Sequence, residues 1–398
     1  MPLSEAAQAR AIRRLTFGAF SSAVALRMCD PLLPQLAADF QTSTGQAAHV
    51  IAYFAVAYGL VQAFYGPLGD RYGKFRVITY ATLAGTAGAI GAVFATSLDW
   101  LVIARIASGA TTAAIIPLSM AWIGDNIPYE RRQATLARFL TGQIFGMVAG
   151  QLIGGFFADT VGWRWAFLLL AIFYVSVGTL LYGELRSNRN IDGAAHPDMP
   201  AASHPPLWMQ FHAVLRLRWP RVILTTIFLE GLLVFGAFAF IPSYLHQRFG
   251  LPLTGAGAIV AIYGLGGFLY TLVTRHLVAR MGERGLAMGG GILLSASFVM
   301  LLLGPSWHWA MPASFIAGLG FYMLHNTLQT NATQMAPAAR GTAVSLFACS
   351  FFLGQSAGVG TAAVIVDNAS VLWVFGIAAC AVPLIGAGFA WVLRFRQA

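Results

Sequence analysis

The chain has 398 residues, of which 58% are hydrophobic and only 10% charged, with a mean hydropathy of +0.70. Soluble domains carry about 25% charged residues, which excludes a water-soluble globule. The formal net charge of +10 would suit a nucleic-acid partner, but the charges avoid the long apolar runs and gather on one side of them, which argues against that.

Apolar runs of about 20 residues, enough to cross roughly 30 Å of hydrocarbon as helix, recur along the chain. Lipid offers the backbone no hydrogen-bond partner, so such runs must be helical. The expected fold class is an all-α membrane protein with twelve transmembrane helices, at about 15–37, 47–69, 78–97, 101–124, 134–158, 163–184, 220–246, 255–279, 286–304, 309–333, 342–366 and 371–393. The first run follows Arg10, Arg13 and Arg14 and continues past Pro34 without a small-residue cleavage site, so it reads as a retained span. With both termini inside, all but four of the 24 Lys and Arg fall on or beside the inner side, the exceptions being Arg27, Arg105, Arg164 and Arg248. That bias fixes orientation, and it brings some affinity for anionic headgroups with it.

Charge inside a span is costly, about 2.5–3.5 kcal/mol at a helix centre, and marks functional candidates. Span one holds Arg27 and, one turn on, Asp30. Span two contributes Tyr53, Tyr58 and Gln62 as candidate cavity residues. It ends in GPLGDRYGKFR, Gly66 to Arg76, which packs Asp70, Arg71, Lys74 and Arg76 between two apolar runs. A positive-inside loop explains the basic residues, but explains Asp70 and the spacing of Gly66, Gly69 and Gly73 less well.

The pattern Gly66, Leu68, Asp70, Arg71, Gly73, Lys74 resembles the signature between spans two and three of the major facilitator superfamily. The resemblance covers essentially the whole chain, although the second copy has Ala279 where the carboxylate would stand. It implies the major facilitator fold and a gating role. Asp70 would meet the N-terminal dipole of span eleven. With Lys74 or Arg71 and with Asp125 of span four, it would form an inner latch between the halves. In this fold spans one, four, seven and ten line the cavity.

Span four opens with Arg105 in RIASGATTAAIIP, similar to the superfamily motif whose arginine is linked to proton coupling. The depths of Asp30 and Arg105 differ by only about 5 Å, so a contact between them is feasible. Asp30 has two readings: permanent neutralisation of the two arginines, or gain and loss of a proton during transport. Span five carries Gly142, Gly146, Gly150, Gly154 and Gly155. Such spacing lets another backbone approach. It also resembles an antiporter signature, with Gln151 in place of the proline that would kink the helix. In the family this span packs against span eight. Gln143 lies on the same span, while GWRWAF, Gly162 to Phe167, and DPLLP, Asp30 to Pro34, look like the twelve-span drug:proton antiporter branch.

After span six comes the one long polar segment, which divides the chain into bundles 1–184 and 220–398 joined by a cytoplasmic linker, 185–219. The halves repeat. An offset of 208 lays Gly146 on Gly354, Gly150 on Gly358 and Asp159 on Asp367. Such parallel six-plus-six repeats belong to carriers that rock about a midplane site. Span seven holds Glu230, which reads as a second proton site, a substrate anchor or a packing residue, together with Phe235 and Phe238. Span eight adds Tyr263, and span ten adds His325, Asn326 and Gln329. His325 could titrate near neutral pH or serve as a hydrogen-bonded histidine at a helix interface, and the aromatics have a packing reading. Cys29, Cys349 and Cys380 form no disulfide or metal spacing.

Together these features lead to the expectation of a proton-coupled exporter of small molecules in a bacterial inner membrane, monomeric, without cofactor or metal and without nucleic acid. Importers, uniporters and a non-transporting membrane sensor are the alternatives. No nucleophile–base set points to an enzyme.

Overall fold

The computed structural model describes residues 3–188, 191–192, 207–337 and 340–396. The middle of the expected linker, 193–206, lies outside that set. Among the described residues there is no strand, and the chain makes twelve helical passes. Among the described residues, eight runs have the length and hydropathy to cross a membrane. One of these, Leu253–Leu303, is two passes that turn at Gly282, whose φ of 60° suits a residue without Cβ.

Several passes break where the sequence carries breakers. Span one, expected to be continuous, is Glu5–Arg27 followed by Leu33–Asp39. Pro31 cannot donate a backbone hydrogen bond, and the turn before span one resumes is held by Asp30 N to Arg27 O at 3.4 Å and Leu32 N to Cys29 O at 3.1 Å. Span four divides into Leu98–Thr112 and Ile115–Asn126. Span seven runs as Arg218–Glu230, passes through a π-helical turn at Gly231–Phe235 and a short α-helical turn at Gly236–Phe238, and resumes as Ile241–Phe249. Such turns gather at functional sites, and this one starts directly after Glu230.

Span five, Tyr129–Asp159, is unbroken, as expected once Gln151 replaces the proline. A Cβ at Gly142, Gly146, Gly150 or Gly154 would collide with Thr16, Phe20, Val24 or Met28, so the glycine ladder seats span five on span one. Span five also packs against span eight on another face, where a Cβ at Gly257 would meet Gln151 O and one at Gly264 would meet Val148. Gly155, one residue round the helix, faces Leu253 and Thr254 of span eight. The other half repeats the contact: Gly354 is pressed against Phe228 and Gly358 against Leu232. Both partners of each pair are displaced by 208 positions (354 − 146, 228 − 20; 358 − 150, 232 − 24).

The termini, the linker and the loop after span two share one end of the molecule, and the opposite, far end is where the bundles are tied together. Asp159, closing span five, accepts hydrogen bonds from Leu253 N at 3.0 Å, Thr254 N at 2.6 Å and Thr254 Oγ1 at 2.7 Å. Asp367, closing span eleven, accepts from Gly45 N at 2.9 Å and Ser43 Oγ at 2.6 Å. Each carboxylate thus caps the start of a helix in the other bundle. The two caps are related by the repeat, since 367 − 159 and 253 − 45 both equal 208. At the linker end the same spans part. A Cβ at Gly59 of span two would strike Phe352 of span eleven, whereas Gly66, two turns further, has nothing within 4 Å, nor has Gly341. The molecule is closed at the far end and splayed at the linker end.

Candidate functional site

The break in span one places Asp30 at the seam between the bundles. Its carboxyl is fully buried, with Arg27 Nη1 at 3.7 Å from Oδ2. Gln151 Nε2 of span five donates to the same oxygen at 2.7 Å. Oδ1 has no partner, nor have Arg27 Nη1 and Gln151 Oε1 a hydrogen-bond partner. A buried ionised group that is only half satisfied is costly; a proton on the carboxyl would lower its own share of that cost and leave the Arg27 guanidinium without its counter-ion. Gln151 was legible in the sequence only as a departure from an antiporter signature. Its polar side chain in a glycine ladder was the signal.

The contact of Asp30 with Arg105 that their depths allowed is not the one formed. Arg105 is also buried, but it donates from Nε to Val50 O at 3.1 Å and from Nη2 to Ala25 O at 3.0 Å, and its guanidinium lies 3.9 Å over the Phe54 ring. The break after Arg27 frees the Ala25 carbonyl, and a buried arginine with five donors takes it together with Val50 O. Arg105 pins spans one, two and four together, and its charge reaches Asp30 through space.

The second cluster belongs to the other bundle. Glu230 is fully buried, and its Oε2 lies 2.8 Å from His325 Nδ1. Its Oε1 is unpartnered. The His325 ring stacks on Phe321, centroid to centroid 4.7 Å, and meets Phe351 at 5.1 Å. Phe235, carried on the π turn, sits 5.1 Å from Phe321 and 5.4 Å from Phe351. On its other face lies the Arg27 guanidinium of span one, 4.0 Å from the ring centroid. A cation over an aromatic face is attracted to it. The two ionisable clusters therefore meet through Phe235, across the seam.

A small cavity opens at that seam between spans one, five, seven and eight, with Arg27, Gln151, Phe238 and Tyr263 in its wall alongside Met147 and Val260. Tyr263 packs edge-on to Phe238 at 4.8 Å. Its hydroxyl is buried without a partner. Other candidates lie around this centre. Tyr58 is buried, stacks on Phe54 and lies 4.5 Å from Phe352 across the seam. Gln62 has an unpartnered Oε1. Gln143 and Asn326 are half-buried and Gln329 is exposed. Tyr53 is exposed and meets His49 edge-on. Among the described residues no cluster of three or more His, Cys, Asp or Glu could hold a metal ion.

In the charged loop after span two, the expected trio of Asp70, Lys74 and Asp125 comes together. Lys74 Nζ lies 2.9 Å from Asp70 Oδ1 and 2.7 Å from Asp125 Oδ2. All three belong to the first bundle, and at this splayed end a Cβ at Gly66 of span two or Gly341 of span eleven has nothing within 4 Å. Arg71 is not part of the trio and instead lies over Tyr72 at 5.2 Å. Burial works against the Lys74 ammonium, but its hydrogen bonds with Asp125 and Asp70 outweigh that and hold its pKa above the usual lysine value. Gly73 turns the chain here with φ 95°. Asp192 of the linker sits against it and accepts from Phe75 N at 2.6 Å and Arg76 N at 3.2 Å, capping span three. Ile191 O accepts from Trp122 Nε1 at 2.8 Å. Burial pushes the Asp192 carboxyl above the ordinary carboxylate range in spite of the two backbone donors. Also at this end, buried Glu184 faces Arg14 at 2.8 Å and Arg10 at 3.6 Å.

The family model for the Major Facilitator Superfamily matches residues 15–359. Among relatives, the MFS-type transporter YwfA of Bacillus subtilis is 25% identical over 348 residues, covering 86% of this chain and 82% of that one. The multi-drug resistance efflux pump PmrA of Streptococcus pneumoniae is 29% identical over 166 residues, 41% of each chain. Among solved structures, a point mutant of the nucleoside transporter NupG superposes with a TM-score of 0.78 at 12% identity, covering 96% of this chain and 99% of that one.

Proposed function

The chain belongs to the Major Facilitator Superfamily, and from that premise we propose that this transporter is a proton-coupled exporter of small molecules, with Asp30 as its proton-carrying group. The observation that carries the reading is the placement of Asp30. It is a buried carboxyl at a helix break on the seam, with one oxygen held by Arg27 and Gln151 and the other unpartnered. The splayed, linker-bearing end is the cytoplasmic one, since the basic residues gather there, and the membrane is a bacterial inner membrane, as the bacterial relatives favour. Open to the cytoplasm, Asp30 loses its proton and the cavity takes substrate. Rocking then breaks the far-end caps and opens the chamber outward, where a proton reaches Asp30 and substrate leaves. The protonated carrier then returns with the Arg27 guanidinium resting against the Phe235 ring. Glu230 and His325 form a second ionisable pair, joined to the first through Phe235, and answer to the same cycle. The inner latch of Lys74, Asp70 and Asp125 would engage span eleven only in the outward-open state, and each of its exposed pairs is worth no more than about 1 kcal/mol.

The test uses inverted membrane vesicles energised to an acidic interior. Adding ethidium as transport probe should dissipate the pH gradient in wild type, and Asp30→Asn should abolish that response at equal expression. An unchanged response in Asp30→Asn would remove Asp30 from the coupling step.

A further inference from the structure

Gln151 stands between the proton site and the cavity, with one end of its amide on each. Its Nε2 donates to Asp30 Oδ2 at 2.7 Å, while Oε1 is buried, unpartnered, and belongs to a side chain lining the cavity. A carboxylate can only accept hydrogen bonds, whereas a protonated carboxyl also donates one. While Asp30 is ionised, the amide must keep its NH2 toward Asp30 and turn its carbonyl to the cavity. Once Oδ2 carries a proton, the better partner for that O–H is the amide carbonyl. The amide then turns over and presents its NH2 to the cavity. The torsion involved joins sp3 and sp2 carbons and is soft, and no other hydrogen bond of Gln151 has to break.

We infer that Gln151 reports the protonation of Asp30 to the substrate, offering the cavity an acceptor in one state and a donor in the other. The inference rests on the proton-coupled reading of Asp30 and deepens it by naming the ligand class. The cavity, about 10 Å³ and walled by Phe238, Met147, Val148 and Val260, holds no more than a water-sized group, so only the polar tip of a ligand can enter it. The polar end must be a hydrogen-bond donor, such as an amine, amide N–H or hydroxyl. Such a group pairs with the Gln151 carbonyl when Asp30 is ionised. After protonation it faces another donor, and both are left unpaired in a dry site, at a cost of roughly tenfold or more in affinity. Proton and donor-bearing substrate thus exclude one another, which is the sign required for exchange. Gln151 is a positioning residue, acting through Asp30.

The groups facing Asp30 that bear on its titration come from several elements. Arg27 is on its own span, Arg105 acts through space from span four, and Cys29 is its neighbour in the turn. Tyr263 of span eight faces the same cavity beside Arg27, with Glu230 acting on it from span seven.

Two measurements on the purified full chain test this. The first needs no ligand: pH-difference infrared spectra with labelled glutamine, read against the Gln151→Met variant. Between about pH 8 and about pH 5, either side of neutrality, the Asp30 carboxyl band should rise together with a shift of the Gln151 carbonyl band, and Gln151→Met should lose that glutamine shift and move the carboxyl band. An Asp30 band that never rises would overturn the proton reading itself. A band that rises with the Gln151 carbonyl unmoved would overturn the switch alone. The second measurement uses wild type only, and compares binding of ethidium, an aromatic cation with amine donors, with tetraphenylphosphonium, an aromatic cation with none. Acidification should weaken ethidium roughly tenfold and tetraphenylphosphonium far less. Equal pH dependence of the two probes would refute the donor-class assignment.

Discussion

Removing the far-end caps should open the molecule on that side, and the geometry sets how far. Asp159 accepts three hydrogen bonds from the start of span eight, and Asp367 accepts two from the start of span two. Replacing a helix-capping Asp by Ala costs about 0.5–2 kcal/mol. Both carboxylates are exposed, so a value near 1 kcal/mol each is appropriate. The helices themselves persist in either state, so the loss falls on the equilibrium between far-end-closed and far-end-open forms. The double variant Asp159→Ala, Asp367→Ala loses about 2 kcal/mol of closure, roughly a thirtyfold change in the ratio at tenfold per 1.4 kcal/mol. The assay is double electron–electron resonance between spin labels at Gln46 and Ala369, exposed positions at the far ends of spans two and eleven. The long-distance population should grow stepwise from wild type through either single variant to the double. If the double variant kept the wild-type distance distribution, the two caps would hold their own helix starts and have no part in closing the bundles together.

Gly150→Val should cost more than an ordinary overpacking of about 1–3 kcal/mol, because the new side chain meets Val24 O, Met28 N and Arg27 Cβ at once. Thermal unfolding in detergent would show it, and an unchanged midpoint would refute the close approach of spans one and five. Asp192→Asn isolates one pH dependence. With its folded pKa raised, Asp192 lets the folded protein hold more protons than the unfolded chain between the ordinary carboxylate value, about 3.9, and the raised one. Its contribution is therefore fullest at the acid side of that window and lost as pH rises through it. The midpoint of wild type minus that of Asp192→Asn should shrink from pH 4 toward neutrality (about pH 7). A difference that grew over that range would contradict the burial of Asp192.

Membrane class, helix number and the repeat were all legible in the chain because lipid imposes them one segment at a time. A span must be long, apolar and internally hydrogen-bonded, whatever it packs against. The same local logic singled out Asp30, Arg27, Arg105 and Glu230, since a charge in a span is costly wherever its partner lies. Partners were a different matter. Depth along two helices allowed Asp30 to meet Arg105, but rotation about the axes and the break at Pro31 decided otherwise, giving Arg105 the backbone carbonyls and Asp30 the amide of Gln151. His325 and Glu230 lie 95 positions apart and share no local pattern. The glycine ladder announced a close helix contact, yet only the packed bundle shows that its partner is span one. Periodicity and hydropathy act within a segment, so the sequence alone determined which helices form and which residues are costly to bury. Which helix faces meet depends on the simultaneous packing of all twelve, and so the tertiary structure alone decided the pairs, the seam and the side on which it is closed.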